Sequence, residues 1–182
     1  MVALMSDDMI FGAFLPQGWK MELSSIDGAE AKWAKAVEIA VLAEELGYDS
    51  IWVYDHFHNV PRPAHEAVFE CWTTLAAISQ RTSRIRLGQM VGCNSYRQPS
   101  VLAKITSTID VISGGRLDWG IGAGWYENEY KGYGFEFPVP INDCGDGTFL
   151  AEDKAILFMR YIRKHIAYLE EAKRAHDEAI RS

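Results

Sequence analysis

SIWVYDHFH, residues 50–58, is a strand-favouring run that passes straight into an aspartate and two histidines. A short continuous apolar run bounded by polar residues is the pattern of a strand buried on both faces. Working outward, residues 29–47 place Trp33, Val37, Ala40, Val41 and Glu44 at helical spacing and end on Gly47, a residue suited to a helix C-terminus. Ile10–Leu15 (IFGAFL) is an earlier strand closed by Pro16, Gln17 and Gly18. Downstream, residues 65–80 set Val68, Phe69, Trp72, Leu75 and Ala76 on one helical face, and Arg84–Val91 (RIRLGQMV) forms a third strand. Pro99 opens a third helix running through Leu102, Ile105, Ile109 and Ile112 to Gly114-Gly115, and Arg116–Gly120 is a fourth strand. The order is βαβαβαβ. Connections of this length rule out hairpins and require parallel strands with helical crossovers, in an open doubly wound sheet or a barrel.

After Trp125 the pattern changes. Residues 126–140 (YENEYKGYGFEFPVP) read as a long aromatic loop, Ile141–Cys144 as a short fifth strand, and residues 150–182 as a C-terminal helix with Ile156, Met159, Ile162, Ile166 and Leu169 on one stripe. The 182 residues suit a single domain able to bury a core without disulfides. A net charge of −7 favours neither a nucleic-acid backbone nor an anionic membrane surface. Cys71, Cys93 and Cys144 are odd in number and lack paired metal spacing, the usage of a reducing compartment. No apolar run approaches the ~20 residues that span a bilayer, and Met1–Asp8 has no basic segment, so a cytoplasmic location is expected.

In parallel α/β folds ligands bind at the carboxyl ends of the strands. Four such tips are visible: Gln17-Gly18, Asp55-His56, Cys93-Asn94 and Ala123-Gly124-Trp125. Asp55 and His56 are the candidates for acid–base work, because an imidazole near a carboxylate can change protonation near neutral pH; a loop-capping structural histidine is the alternative. His56 and His58 lack a third ligand at suitable spacing, so no metal is expected. Gly120-Ile121-Gly122-Ala123-Gly124 follows a strand, but Trp125 stands where a dinucleotide fingerprint requires glycine. The cluster reads instead as close backbone approach to a ligand or tight packing at a rim. Met90–Asn94 ends its strand with small residues able to present backbone donors to a planar ring, or is a bulged strand end. The aromatic loop, with Tyr126, Tyr130, Tyr133, Phe135 and Phe137, is either a lid over an apolar substrate or a cover for the core.

Taken together, FGAFLPQG, SIWVYDHFH, VFECWTTLAAIS, RIRLGQMVGCNSYRQPSVLAKITSTIDVISGGRL and GIGAGWYENEYKGYGFEFP resemble the luciferase-like monooxygenase family, and its F420-dependent branch in particular, over residues 9–138. The resemblance implies a (β/α)8 TIM barrel that binds the deazaflavin F420, or alternatively FMN, at its carboxyl-end face. It implies that Asp55 and His56 contact the cofactor, with His56 in acid–base or anion-stabilising work and Asp55 orienting it or touching the ring. It further implies that Met90, Val91, Cys93 and Asn94 form a bulge, often with a non-proline cis peptide, behind the ring, and that Ala123, Gly124 and Asn128 line the cofactor. A sugar-phosphate-oxidising branch carries a catalytic glutamate where this chain has Trp125, which argues against that activity here.

A barrel of this type takes ~250 residues, so the resemblance describes a partial barrel: four βα units, a short strand and a long terminal helix. Four or five strands cannot close eight-stranded geometry and leave edges and inner faces open. The expectation is a homodimer, or a partial barrel plugged by Phe158 and Ile162 of the tail helix. Functionally the resemblance implies an oxidoreductase passing a hydride between F420 and a small organic substrate, or a monooxygenase using reduced FMN and dioxygen. The alternatives are a non-catalytic flavin or deazaflavin binder and a partner subunit of a longer relative.

Overall fold

The computed structural model describes residues 10–137. Strands β1 (Gly12–Phe14), β2 (Ser50–Val53), β3 (Arg86–Cys93) and β4 (Leu117–Gly122) form one sheet in the order β1-β2-β3-β4, every pair parallel. Helices α1 (Ala29–Glu45), α2 (Cys71–Ser79) and α3 (Pro99–Ser113) make the crossovers, and α4 (Glu127–Tyr133) follows β4. Each crossover sets the new strand beside the last without reversing direction across the sheet. That is the winding of successive units in a βα barrel, not of a doubly wound sheet with a switch point.

The period-2 alternation of the strands sorts residues between two faces. Leu15, Ile51, Val53 and Leu87, all 2% exposed or less, face the helices. There they meet Ala36, Ala40 and Ala43 of α1, Trp72, Leu75 and Ile78 of α2, and Leu102, Ala103 and Ile109 of α3. Three alanines on one face of α1 let that helix approach the sheet closely. On the other face Trp52 spreads across its neighbours: a Cβ at Gly12 would lie 2.8 Å from its Nε1, and one at Gly88 would lie 2.2 Å from its ring. Arg86 and Asp118 pair there too, at 2.5 Å. This face holds the glycines because a large indole already fills the space.

The termini of α3 follow the expected chemistry. The Gln98 side chain accepts from Val101 N–H, Pro99 occupies the first turn, and Gly114 closes the helix at φ 72°. Two expectations are corrected. Helix α2 starts at Cys71, not residue 65, because Phe69 N–H donates to Gln17 O and Phe69 O accepts from the Gln17 side chain, at 3.0 and 2.6 Å. Those bonds tie the segment to the β1 exit, and Glu70 then caps the helix by accepting from Thr73 N–H at 2.7 Å. The stretch after Trp125 is not all loop, since Glu127–Tyr133 is helical. The proposed strand 141–144 and helix 150–182 lie outside the described residues.

Candidate active site

At the β3 tip the ladder to β4 shifts register between Gln89 and Gly92, and the Met90–Val91 peptide is cis. The expected bulge and cis bond are both present. The distortion turns two successive side chains outward: Met90 is 44% and Val91 49% exposed. The Val91 side chain lies over β4, where a Cβ at Gly120 or Gly122 would come within 2.8 and 2.9 Å of its methyl groups. The third glycine, Gly124, has φ +81°, and a Cβ there would lie 2.2 Å from the Tyr130 hydroxyl and 2.6 Å from Cys93 Sγ. Of the two readings of this cluster, packing at the rim is the one the contacts support.

Asp55 shares the strand parity of Ile51 and Val53, and its carboxylate continues their direction into the interior, 4% exposed. Oδ2 accepts from Cys93 N–H at 2.9 Å and from Arg97 at 2.7 Å; Oδ1 accepts from Arg97 at 2.9 Å and from the Cys71 thiol at 3.3 Å. Arg97 reaches Glu70 as well, at 2.6 Å. Burial alone would lower the Arg97 pKa, but the Asp55 carboxylate outweighs it and raises it. Burial and the Asp55 and Glu70 charges push the Cys71 thiol well up. The donor atoms of Asp55, Glu70 and Cys71 lie within 4.8 Å of one another, a spacing that suits a metal, but the guanidinium already serves both carboxylates. Asp55 is therefore bonded to Arg97, Cys93 and Cys71 rather than to His56, and it ties the tip of β2 to that of β3.

His56 has the opposite parity and stays near the surface. Its ring stacks on Trp19 (centroids 4.2 Å, 6° between planes) and meets Trp125 and Tyr126 edge-on at 5.9 and 6.2 Å. Its Nδ1 is 2.9 Å from Oε2 of Glu129, whose side chain is 0% exposed. Glu129 also accepts from Phe57 N–H, His58 N–H and the Tyr96 hydroxyl at 2.7, 2.9 and 2.7 Å. Burial would raise this carboxyl, yet those donors more than offset it and its pKa is lowered, so it is ionised at neutral pH. The same carboxylate, with burial as the larger cause, pushes the Tyr96 hydroxyl up and keeps it protonated.

Around His56 the rings Phe14, Tyr54, Trp19 and Trp125 form a band in which Phe14 stacks on Tyr54 at 4.6 Å and Tyr54 meets Trp19 at 4.2 Å. Phe14 is 50% and Trp125 62% exposed. The loop aromatics divide. Tyr130 is fully buried against Cys93 and Tyr96, and Phe57, Phe135 and Phe137 pack on that cluster. Of the two readings of the loop, these rings favour the cover for the core; Tyr133 is the exposed exception.

The tips thus bring Asp55, His56, Cys93 and Gly124 together, but in two layers. Asp55, Cys93 and Asn94 are buried behind; Met90, Val91, Ala123 and Trp125 face out. Cys93 Sγ lies 3.0 Å from the Tyr130 hydroxyl, and burial raises the thiol's pKa, so it remains a thiol. The Asn94 N–H donates to Gly122 O at 2.9 Å and its side-chain oxygen accepts from the Ser95 hydroxyl at 3.1 Å. Asn128 is exposed on α4 with no hydrogen bond to the others among the described residues. Glu129, Arg97, Tyr96 and Trp19 escaped the sequence reading. For Glu129 a signal existed: it stands at helical spacing with Tyr126 and Tyr130, on a face too aromatic to be solvated.

Residues 9–146 match the model of the family described as luciferase-like monooxygenase. The chain belongs to this family. An F420-dependent glucose-6-phosphate dehydrogenase of Amycolatopsis mediterranei (strain U-32) is 39% identical over 105 residues, 56% of this chain and 31% of that protein. A protein of the same name from Intrasporangium calvum is 35% identical over 169 residues, 91% of this chain and 48% of its own length. The chain therefore spans at most about half the length of these relatives. The crystal structure of monooxygenase RslO1 from Streptomyces bottropensis superposes with a TM-score of 0.64 at 24% identity, over 86% of this chain and 42% of that one, and supports the fold. The four described strands are part of such a barrel. Among the described residues no helix is long and apolar enough to cross a membrane.

Proposed function

We propose that this chain carries the ring-facing part of an F420-dependent oxidoreductase acting on a small, neutral, apolar organic substrate. One observation carries the reading: at the carboxyl ends of the parallel strands the β3 bulge exposes two successive apolar side chains, Met90 and Val91, while the neighbouring β2 tip carries His56 stacked on Trp19 in an aromatic band. A flat heterocycle needs such a wall, and Met90, Val91 and Ala123 fit it, with Trp125 at the rim. The F420-dependent relatives support the choice of F420 over FMN. When bound, the deazaflavin supplies hydride transfer. The chain's own contribution is to hold the ring plane, to exclude water with Trp125 and Phe14, and to take or give a proton at Nε2 of His56. Aromatic surface at Trp125 favours an apolar substrate, unlike the sugar phosphate named in the relatives.

Titration of the purified chain with F420, and separately with FMN, followed by cofactor fluorescence, tests the reading. Saturable binding of F420 is expected, with His56→Ala binding it but losing about 10²-fold or more in turnover. Binding of FMN alone would transfer the site to monooxygenation, and binding without turnover to a carrier role. Failure to bind either would overturn the proposal.

A further inference from the structure

We infer that Glu129 is the positioning residue of this site and that it acts by fixing the tautomer of His56. The catalytic meaning rests on the proposed role of His56; the geometry does not. Glu129 sits at the end of four donors: two backbone N–H groups, the Tyr96 hydroxyl and His56 Nδ1. An amide N–H can only donate, and a fully buried carboxylate with these partners is ionised, hence acceptor-only. The nitrogen facing it must therefore carry hydrogen. A neutral imidazole has one donor and one acceptor nitrogen, so Nε2 is left with its lone pair free, and it takes no hydrogen bond among the described residues.

The surroundings hold the arrangement. Trp19 lies parallel to the ring at 4.2 Å and sets its plane. The bonds from Phe57 and His58 N–H anchor the carboxylate to the same loop that carries His56, so the acid and the imidazole move as one unit. Asp55, although next to His56 in sequence, is committed to Arg97 and Cys93. When Nε2 accepts a proton, the resulting imidazolium finds a counter-charge already in place, so no side chain has to reorganise.

Long-range proton–nitrogen NMR of the full-length, nitrogen-15-labelled chain tests this, with His56 assigned by its disappearance in His56→Gln. The expected spectrum shows hydrogen on Nδ1 and a bare Nε2, against the preference of free imidazole for hydrogen on Nε2. In Glu129→Gln the ring should return towards that free preference, and kcat should fall about 10²-fold with KM within about twofold. Tyr96→Phe, which keeps the carboxylate, should retain the wild-type tautomer. Hydrogen on Nε2 in the wild-type protein overturns the inference even if Glu129→Gln fails to fold; an unchanged tautomer in folded Glu129→Gln overturns it as well. Neither NMR outcome requires cofactor, so a failure of F420 to bind would strike the proposed function and leave the tautomer result standing.

Discussion

Arg97→Met should be strongly destabilising, and the size of the effect follows from what it strands. The Arg97 side chain is 12% exposed and the Asp55 side chain 1%, so the pair is screened little by water. Removing the guanidinium takes two charge-assisted bonds from Asp55 and leaves it with one backbone N–H and a thiol. Breaking a buried pair in this way costs roughly 3–5 kcal/mol, against a total stability of about 5–15 kcal/mol for a domain. With a urea m value of about 2 kcal/mol/M, the midpoint should fall by about 1.5–2.5 M, read by far-ultraviolet circular dichroism at neutral pH. Asp55→Asn added to Arg97→Met should restore part of the loss, because the stranded charge is then gone. A midpoint within about 0.5 M of wild type would refute the idea that this pair clamps the β2 and β3 tips together, and with it the assignment of Asp55 to structure.

Two other predictions concern different parts of the scaffold. Glu44 accepts from Ser83, Arg84 and Ile85 N–H at 3.0, 2.6 and 2.8 Å, and although burial would raise it these bonds lower its pKa from 4.5 to about 2. A lowered folded pKa stabilises above the unfolded value and loses that stabilisation as pH falls, so thermal stability should drop between pH 4.5 and 2; in Glu44→Gln that part of the pH dependence should be missing and the neutral-pH melting temperature reduced. Gly124→Ala should destabilise by about 1–3 kcal/mol, measured by urea denaturation, since its φ of +81° is strained for alanine and the new methyl would meet Tyr130 and Cys93.

How much of this was legible depends on the range of the interaction. Four strands and three crossover helices were readable because apolar periodicity is a local property, and Pro99 and Gly114 mark α3 by their own chemistry. The start of α2 was misplaced because Val68 and Phe69 satisfy helical spacing while the backbone of Phe69 is claimed by Gln17, some fifty residues earlier in the chain. Helix α4 was hidden by Gly132 and Gly134, which give a loop-like composition to a single amphipathic stretch. The cis peptide at Met90–Val91 came from family resemblance; no residue pattern at that position announces it.

The division of labour between Asp55 and His56 is the most instructive case, because the deciding signal was local after all. A carboxylate next to an imidazole invites the assumption that the two work together. Alternation along the strand sends neighbours to opposite faces. Asp55 continues the helix-facing set of Ile51 and Val53; His56 continues the open-face set of Trp52 and Tyr54. An acid carried inward must find a cation, and Arg97 is it. An imidazole carried outward must take its acid from elsewhere, and Glu129, seventy-three residues on, supplies it. The tip of β2 thus has two separate carboxylate-anchored assemblies. One holds the strands in place and the other holds a proton-transfer group at their edge, so Arg97→Met should act on stability and Glu129→Gln on the state of His56.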